Sequence, residues 1–258
     1  MNNISFDDKR IAQGYAKDRP WLHKSVIERI KSECNTSKPF KNGLDVGCGA
    51  GLSTKALKLI CDKVTGTDIS GEMIQVCKAF YNTPEFIFYT AKAEETLIPE
   101  TPYDIVTAAG VINWVDKDKF LENMKSVMAN NALLIIYDFW ISDKMLENDA
   151  YTDWYNNLYL TNFPKPPRNE EIWQREDMLD DFIIEKQFNY QLKYEYDIDS
   201  FIRFMMLQSN VNIQIDSGHK TEAEIHKWLK STLKPIFQNK KQTLIFSGYA
   251  WICLKCMT

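Results

Sequence analysis

Gly43-Leu-Asp-Val-Gly-Cys-Gly-Ala-Gly-Leu-Ser-Thr54 decides the reading of this chain. Leu44 and Val46 supply a short buried strand, and Gly47, Gly49 and Gly51 supply a turn with no side chains in the way. Ser53 and Thr54 lead into the helical run Lys55-Ala-Leu-Lys-Leu-Ile60. A strand, a glycine turn and a helix N-terminus let a ligand lie directly on main chain, with the helix end pointing at it. The dinucleotide fingerprint also opens a helix after a strand, but it wants Gly-x-Gly-x-x-Gly, and the spacing here is Gly-x-Gly-x-Gly. Asp45 stands two residues before the first glycine of the turn. A carboxylate there repels a pyrophosphate and suits a ligand that carries an ammonium group and a sulfonium.

On either side of this stretch, strand and helix alternate. Strands are expected at 43–47, 63–68, 85–91, 103–109 and 132–138, with helices at 52–61, 71–82 and 117–129. Such alternation argues for a parallel sheet with helices on both faces and right-handed crossovers. Residues 7–35 read as helical, since Ile11, Tyr15, Trp21, Leu22, Val26, Ile27 and Ile30 recur at helical spacing, and Pro20 breaks the run. From 141 to 187 the chain turns polar and irregular and is dense in rings: Tyr151, Trp154, Tyr155, Tyr159, Phe163 and Trp173. Pro164-Lys-Pro-Pro-Arg168 marks a stiff loop. This segment is expected to be an insertion packed over the ligand-binding edge of the sheet. Tyr190–Tyr196 alternates as a strand, and Asp197 or Asp199 is placed to cap a helix from Phe201 to Gln208. Thr221-Glu-Ala-Glu224 has the pattern of a capping box opening a helix to about 236. Residues 243–253 close the chain as an apolar strand, expected to run antiparallel.

The 258 residues suit one domain, or one domain with a sizeable insertion, and 45% hydrophobic residues suffice for a core. A net charge of −4 without a long basic run argues against nucleic acid as a partner. The first ten residues lack the apolar stretch of a signal peptide, and no run approaches the roughly 20 apolar residues of a membrane helix. A soluble, cytoplasmic protein without membrane partners is the expectation. Cys253-x-x-Cys256 invites zinc, but it is a single pair in an alternating segment with no nearby histidine, so both read as strand cysteines and no metal is expected. Cys48 lies inside the glycine turn, where a small side chain fits.

Asp45-Val-Gly-Cys-Gly-Ala-Gly51 resembles motif I of the class I S-adenosylmethionine-dependent methyltransferases. Two later segments match in the right order. Val64-Thr-Gly-Thr-Asp68-Ile-Ser-Gly-Glu-Met73 gives a second strand ending in an acid, and Tyr103-Asp-Ile-Val-Thr-Ala-Ala-Gly-Val-Ile-Asn-Trp114 is similar to the family's fourth-strand segment. The likeness is firm over about residues 40 to 140. Tyr15-Ala-Lys-Asp-Arg19-Pro20 and Ile112-Asn-Trp114-Val-Asp116 resemble the small-molecule branch that includes the trans-aconitate and the ubiquinone/menaquinone biosynthesis methyltransferases. A histidine often precedes that tryptophan; here Asn113 replaces it.

The resemblance implies a Rossmann-like α/β fold: a seven-stranded, mostly parallel sheet with helices on both faces and an aromatic-rich insertion after the fifth strand. It divides the chain into a helical cap (1–40), a cofactor-binding core (41–140), a substrate-side insertion (141–187) and the remainder of the sheet with further helices (188–258). It implies S-adenosylmethionine as cofactor, S-adenosylhomocysteine as product and a small organic molecule as methyl acceptor. Asp45 would take the methionine ammonium, directly or through water, or simply cap the helix. Gly47, Cys48, Gly49 and Gly51 would lie against the methionine and ribose. Asp68 would accept the ribose hydroxyls or act as an N-cap. Ile69 and Met73 would cover the adenine, with Met73 equally at home in a core. Ala93 and Glu94 would meet the adenine amino group, since Lys92 stands where the family often has an acid. Ala109 would lend main chain to the methionine tail, Trp114 would wall the transfer channel or pack under a helix, and Tyr15 and Arg19 would close over the cofactor carboxylate and the acceptor. Candidates for a base are His23, Tyr137 and Asp138. A carboxylate acceptor would need an arginine such as Arg19, Arg168 or Arg203. The alternative is a protein of the same fold that binds the cofactor without catalysis.

Overall fold

In the computed structural model, residues 9–34, 38–97, 99–165, 173, 178 and 181–256 are described. Helices α1 (Lys9–Asp18) and α2 (His23–Glu33) precede a sheet built from β1 (Phe40–Val46), β2 (Cys61–Asp68), β3 (Phe86–Thr90), β4 (Tyr103–Ala109), β5 (Met128–Met145), β6 (Phe182–Tyr196) and β7 (Gln242–Lys255). Helices α3 (Leu52–Leu57), α4 (Gly71–Phe80) and α5 (Lys117–Val127) link the early strands. After β5 come α6 (Asp149–Asp153), a π-helical turn (Trp154–Tyr159) and α7 (Leu160–Asn162). Helices α8 (Ile198–Met206), α9 (Ser209–Asp216) and α10 (Glu222–Phe237) lie between β6 and β7.

The strand order is β3-β2-β1-β4-β5-β7-β6. The first five strands are parallel, and β7 runs antiparallel between β5 and β6. Burial on both faces explains the apolar runs. On β4 and β5, Val106, Leu134 and Ile136 pack with Phe120, Leu121 and Met124 of α5. Their neighbours Ile105, Ile135 and Tyr137 pack on the opposite face with Val26, Ile27 and Ile30 of α2 and Leu57 of α3. The two-residue period puts successive side chains into different cores.

Two expectations are corrected here. Residues 141–145 belong to β5 and residues 182–187 to β6, so the segment between the strands is shorter than 141–187. Its rings also do not line an open ligand edge. Tyr151, Trp154, Tyr155, Tyr159 and Phe163 are buried with Phe201, Phe204, Leu229, Leu233, Phe237 and Phe246, forming a second core shared with α8, α10 and β7. Trp173 packs elsewhere, edge-on to Phe120 of α5. The physical reason is area: each ring buries roughly 150–250 Å² of mostly apolar surface, which favours mutual packing over a solvated wall. Helix caps follow the sequence closely. Asp197 accepts from Ser200 N at 2.8 Å, and Thr221 with Glu224 completes a capping box. Helix α9, by contrast, has no strong apolar stripe and is not anticipated. Arg168 lies outside the described residues, as does most of the Pro164–Arg168 loop.

Candidate functional site

Between β1 and β4 the strand order reverses, the place where open α/β sheets form a crevice beyond the C-terminal ends of their strands. The glycine turn fills the β1 side. Gly47, Gly49 and Gly51 all have positive φ, at 64°, 52° and 86°. A Cβ on Gly47 would stand 2.4 Å from Val111 Cγ2, so the turn after β1 and the loop after β4 touch there and only glycine fits. At Gly49 nothing lies within 4 Å of the Cβ position, so the turn is open at its middle glycine, and only its backbone conformation disfavours a side chain there.

Asp68, at the end of β2, ties that turn down. Its Oδ2 accepts from Gly49 N at 2.8 Å and its Oδ1 from Ser70 N at 2.9 Å. The helix cap itself falls to Ser70, whose hydroxyl accepts from Met73 N. Each carboxylate oxygen offers two acceptor positions, so a carboxylate at the end of β2 can accept from several donors at once. On the other side of the Gly49 peptide, the Cys77 thiol donates to Gly49 O at 3.2 Å, and the Cys48 thiol reaches the same carbonyl at 3.6 Å. Burial pushes the Cys48 thiol well above its ordinary range, so it acts as a small, neutral packing group. Cys77 sits on α4, and no sequence period links it to the turn.

Asp45 is fully buried beneath the turn. Its Oδ2 accepts from Ser53 Oγ at 2.6 Å and Thr54 Oγ1 at 2.7 Å, and its Oδ1 from Thr107 Oγ1 at 2.7 Å. It therefore fastens β1 to the start of α3 and to β4. Burial raises its pKa to about 6 against the pull of those three hydroxyls, and the charge of Asp68 adds to the rise.

Helix α1 lies over the turn: Ile11 and Ala12 pack with Ala50, Met73 and Val76, with Tyr15 beside them. Met73 is thus a core residue, whereas Ile69 is 66% exposed at the lip of the crevice. The linker to α2 is pinned as well. Trp21 Nε1 donates to Leu52 O at 3.0 Å, and Lys55 Nζ lies 4.1 Å from the Trp21 ring. Replacing Trp21 by Phe removes that hydrogen bond, a loss of about 1 kcal/mol. Thermal scans should show the melting point falling by about 2–4 °C.

On the β4–β5 side, Gly110 N donates to Tyr137 O at 2.8 Å, which places Ala109 beside Tyr137. Tyr137 is buried and its hydroxyl lies 2.8 Å from His23 Nδ1. Asp138 lies against Gly110, and its Oδ1 accepts from Phe139 N. Glu94 Oε1 accepts from Asp116 N, joining the turn at 93–95, where Ala93 sits, to the loop carrying the half-exposed Trp114. Lys92 instead pairs with Glu95. Arg19 stacks 4.2 Å over Tyr15. Arg203 is bound to Asp18 outside this crevice. Among the described residues no helix is long and apolar enough to cross a membrane.

Comparisons with known proteins agree with this geometry. A family described as a methyltransferase domain matches residues 44–136. A Dictyostelium discoideum protein assigned as a methyltransferase is 27% identical over 158 residues, 60% of this chain and 58% of that one. A ubiquinone/menaquinone biosynthesis C-methyltransferase of Wigglesworthia glossinidia brevipalpis is 27% identical over 149 residues, 54% of this chain and 57% of that one. The chain spans about half the length of the curated relatives it matches. Among solved structures, a protein assigned as a type II methyltransferase from Anaeromyxobacter dehalogenans superposes with a TM-score of 0.67 at 17% identity, over 90% of this chain and 95% of that one, which is a likeness of fold. Residues 44–136, from β1 into β5, are thus the part of the chain that is similar to a methyltransferase domain.

Proposed function

We propose that the protein transfers the methyl group of S-adenosylmethionine to a small organic acceptor by in-line displacement. The observation that carries this reading is the glycine turn held open between Asp68 and Cys77 at the point where the strand order reverses. The residues fit the cofactor. The backbone at Gly49 leaves room for close approach, Asp68 puts a carboxylate at the strand end where a ribose would be held, and the exposed Ile69 suits one face of an adenine. Asp45, charged above about pH 6, sets a negative potential under the turn that favours an ammonium group.

When bound, S-adenosylmethionine supplies a methyl already activated by its sulfonium. What remains for the chain is alignment and the exclusion of water. Alignment can contribute roughly 7–11 kcal/mol in favourable cases. Asp68 and the turn would hold one end of the ligand, Ala109 and Gly110 would border its reacting end, and α1 with Tyr15 would cover it. The relatives' names include C- and O-methyltransferases of quinone biosynthesis, so they do not single out one acceptor atom.

Calorimetric titration with S-adenosylhomocysteine, run beside NAD, tests the reading. Micromolar binding of the first and none of the second is expected. Heat from NAD alone would give the turn to a dinucleotide and overturn the proposal.

A further inference from the structure

Different forces hold the three glycines of the turn. At Gly47 and Gly51 the surroundings close in: a Cβ on Gly47 would stand 2.4 Å from Val111 Cγ2, and one on Gly51 2.5 Å from Tyr81 Cε2. Main chain fixes the turn on both sides of Gly49 as well, with Cys48 N donating to Thr67 O at 2.8 Å and Gly51 N to Cys48 O at 2.9 Å. Gly49 has neither support. Nothing lies within 4 Å of its Cβ position, and among the described residues its amide and carbonyl bond to side chains alone. A glycine in open space populates both signs of φ about equally, so packing does not select the observed 52°.

That selection falls to the two polar ends of the residue. Asp68 Oδ2 accepts from the amide at 2.8 Å, and the Cys77 thiol donates to the carbonyl at 3.2 Å. Both come from one strand–helix unit, Asp68 from the end of β2 and Cys77 from α4. Asp68 Oδ1 also accepts from Ser70 N, which fastens the acid to the cap of the helix that carries the thiol. Cys77 is fully buried among Cys48, Ile74 and Phe88, and its sulfur lies 3.1 Å from the Cβ position of Gly51. One side chain therefore meets two of the three glycines, one by a hydrogen bond and one by packing. The Cys48 thiol reaches the Gly49 carbonyl from 3.6 Å, the longer of the two contacts.

We propose that Cys77 is a positioning residue for the cofactor: with Asp68 it sets the Gly49 peptide in the orientation on which the ligand lies. This deepens the methyltransferase reading and rests on it. Cys77 acts through Gly49, from beneath the turn. Without its thiol, the carbonyl end of Gly49 loses its main restraint, and a smaller fraction of molecules presents the binding turn. Apparent affinity falls by that fraction. The worth of one neutral hydrogen bond sets the size of the effect, about fivefold.

The test compares three variants of the full chain by calorimetric titration with S-adenosylhomocysteine. Cys77→Ala removes donor and volume, and Cys77→Val removes the donor while keeping the volume. Cys253→Ala removes an equally buried thiol from β7, in a different core cluster. Both Cys77 variants should bind about fivefold more weakly than the unmutated protein. Cys253→Ala should stay within about twofold, although its melting point falls as well. In NMR spectra of the unliganded chains, the Gly49 carbonyl carbon should move upfield in both Cys77 variants and stay in place in Cys253→Ala. Three results would each overturn the proposal: affinity within about twofold in Cys77→Val, an equal loss in Cys253→Ala, or an unmoved Gly49 carbonyl. Failure of the unmutated protein to bind S-adenosylhomocysteine is distinct, since it precedes any substitution, and removes the methyltransferase reading together with this role.

Discussion

Asp68→Ala should lower the affinity for S-adenosylhomocysteine by at least about a hundredfold, measured by calorimetry. A hydrogen bond to a charged group contributes roughly 1.5–3 kcal/mol, and a carboxylate gripping two ribose hydroxyls makes two of them. The substitution also frees Gly49 N and Ser70 N from their 2.8 and 2.9 Å bonds, so the turn loses its anchor on that side. Asp68→Asn separates the two effects. Its amide oxygen can still hold one backbone N–H, but the charge and half of the acceptor capacity are gone, and a loss of about tenfold is expected. Since Ser70 rather than Asp68 makes the side-chain cap of α4, neither variant should unfold that helix. Affinity within threefold of the original in Asp68→Ala would show that Asp68 serves only the local backbone, and the ribose would have to be held elsewhere.

The residues that carry this prediction were legible because they are local. A glycine at every second position and an acid at the end of the next strand are patterns within one βαβ unit, and the fold repeats the geometry that such a unit imposes. The same holds for the Thr221 capping box, whose four residues contain the whole motif. What was not legible depends on partners far apart in the chain. Cys77 is 28 positions from the Gly49 carbonyl it holds, and His23 is 114 positions from Tyr137. No periodicity joins such pairs; only the folded sheet brings them together.

The ring-rich segment lies after β5, as the sequence implies, but its packing was not legible. Tyr151, Trp154, Tyr155 and Tyr159 recur at helical spacing, which signals a buried helix stripe as readily as a ligand wall. Their density drew attention to function, while their period described packing. The partners that settle the matter, Phe201, Leu229 and Phe237, come from helices more than forty positions later. A pocket wall and a second core cannot be told apart until those helices are in place.

Asp45→Asn should leave the fold intact, flatten its acid response and weaken the ligand. The folded pKa of Asp45 is about 6 against an ordinary 3.8, chiefly because burial opposes the charged form. The folded protein therefore holds this proton at a pH where the unfolded chain has released it. Stability contributed by this group is fully present below about pH 4, declines as pH rises towards about 6, and is constant above that. Most carboxylates with lowered pKa values, such as Asp197 at its helix cap, act in the opposite sense, so the wild-type curve mixes both. The difference between wild type and Asp45→Asn isolates the one group. Asparagine fits the space: its oxygen can accept from Ser53 and Thr54, and its amide can donate to Thr107 Oγ1, which then turns its own proton towards Leu44 O, now 3.4 Å away. At pH 7 the variant should be as stable as the wild type or more so, by an amount on the order of 2 kcal/mol, read from denaturant titrations. The gain should disappear at pH 4, where wild-type Asp45 is protonated when folded. Affinity for S-adenosylhomocysteine, whose methionine part carries an ammonium, should fall about tenfold at pH 7, because the negative potential beneath the turn is gone. Parallel stability curves from pH 4 to 7 would show that Asp45 is ionised throughout that range. An unchanged affinity would show that its charge does not reach the ligand. The two readouts are independent, so a residue that fastens β1 to α3 can be told from one that also selects the cofactor.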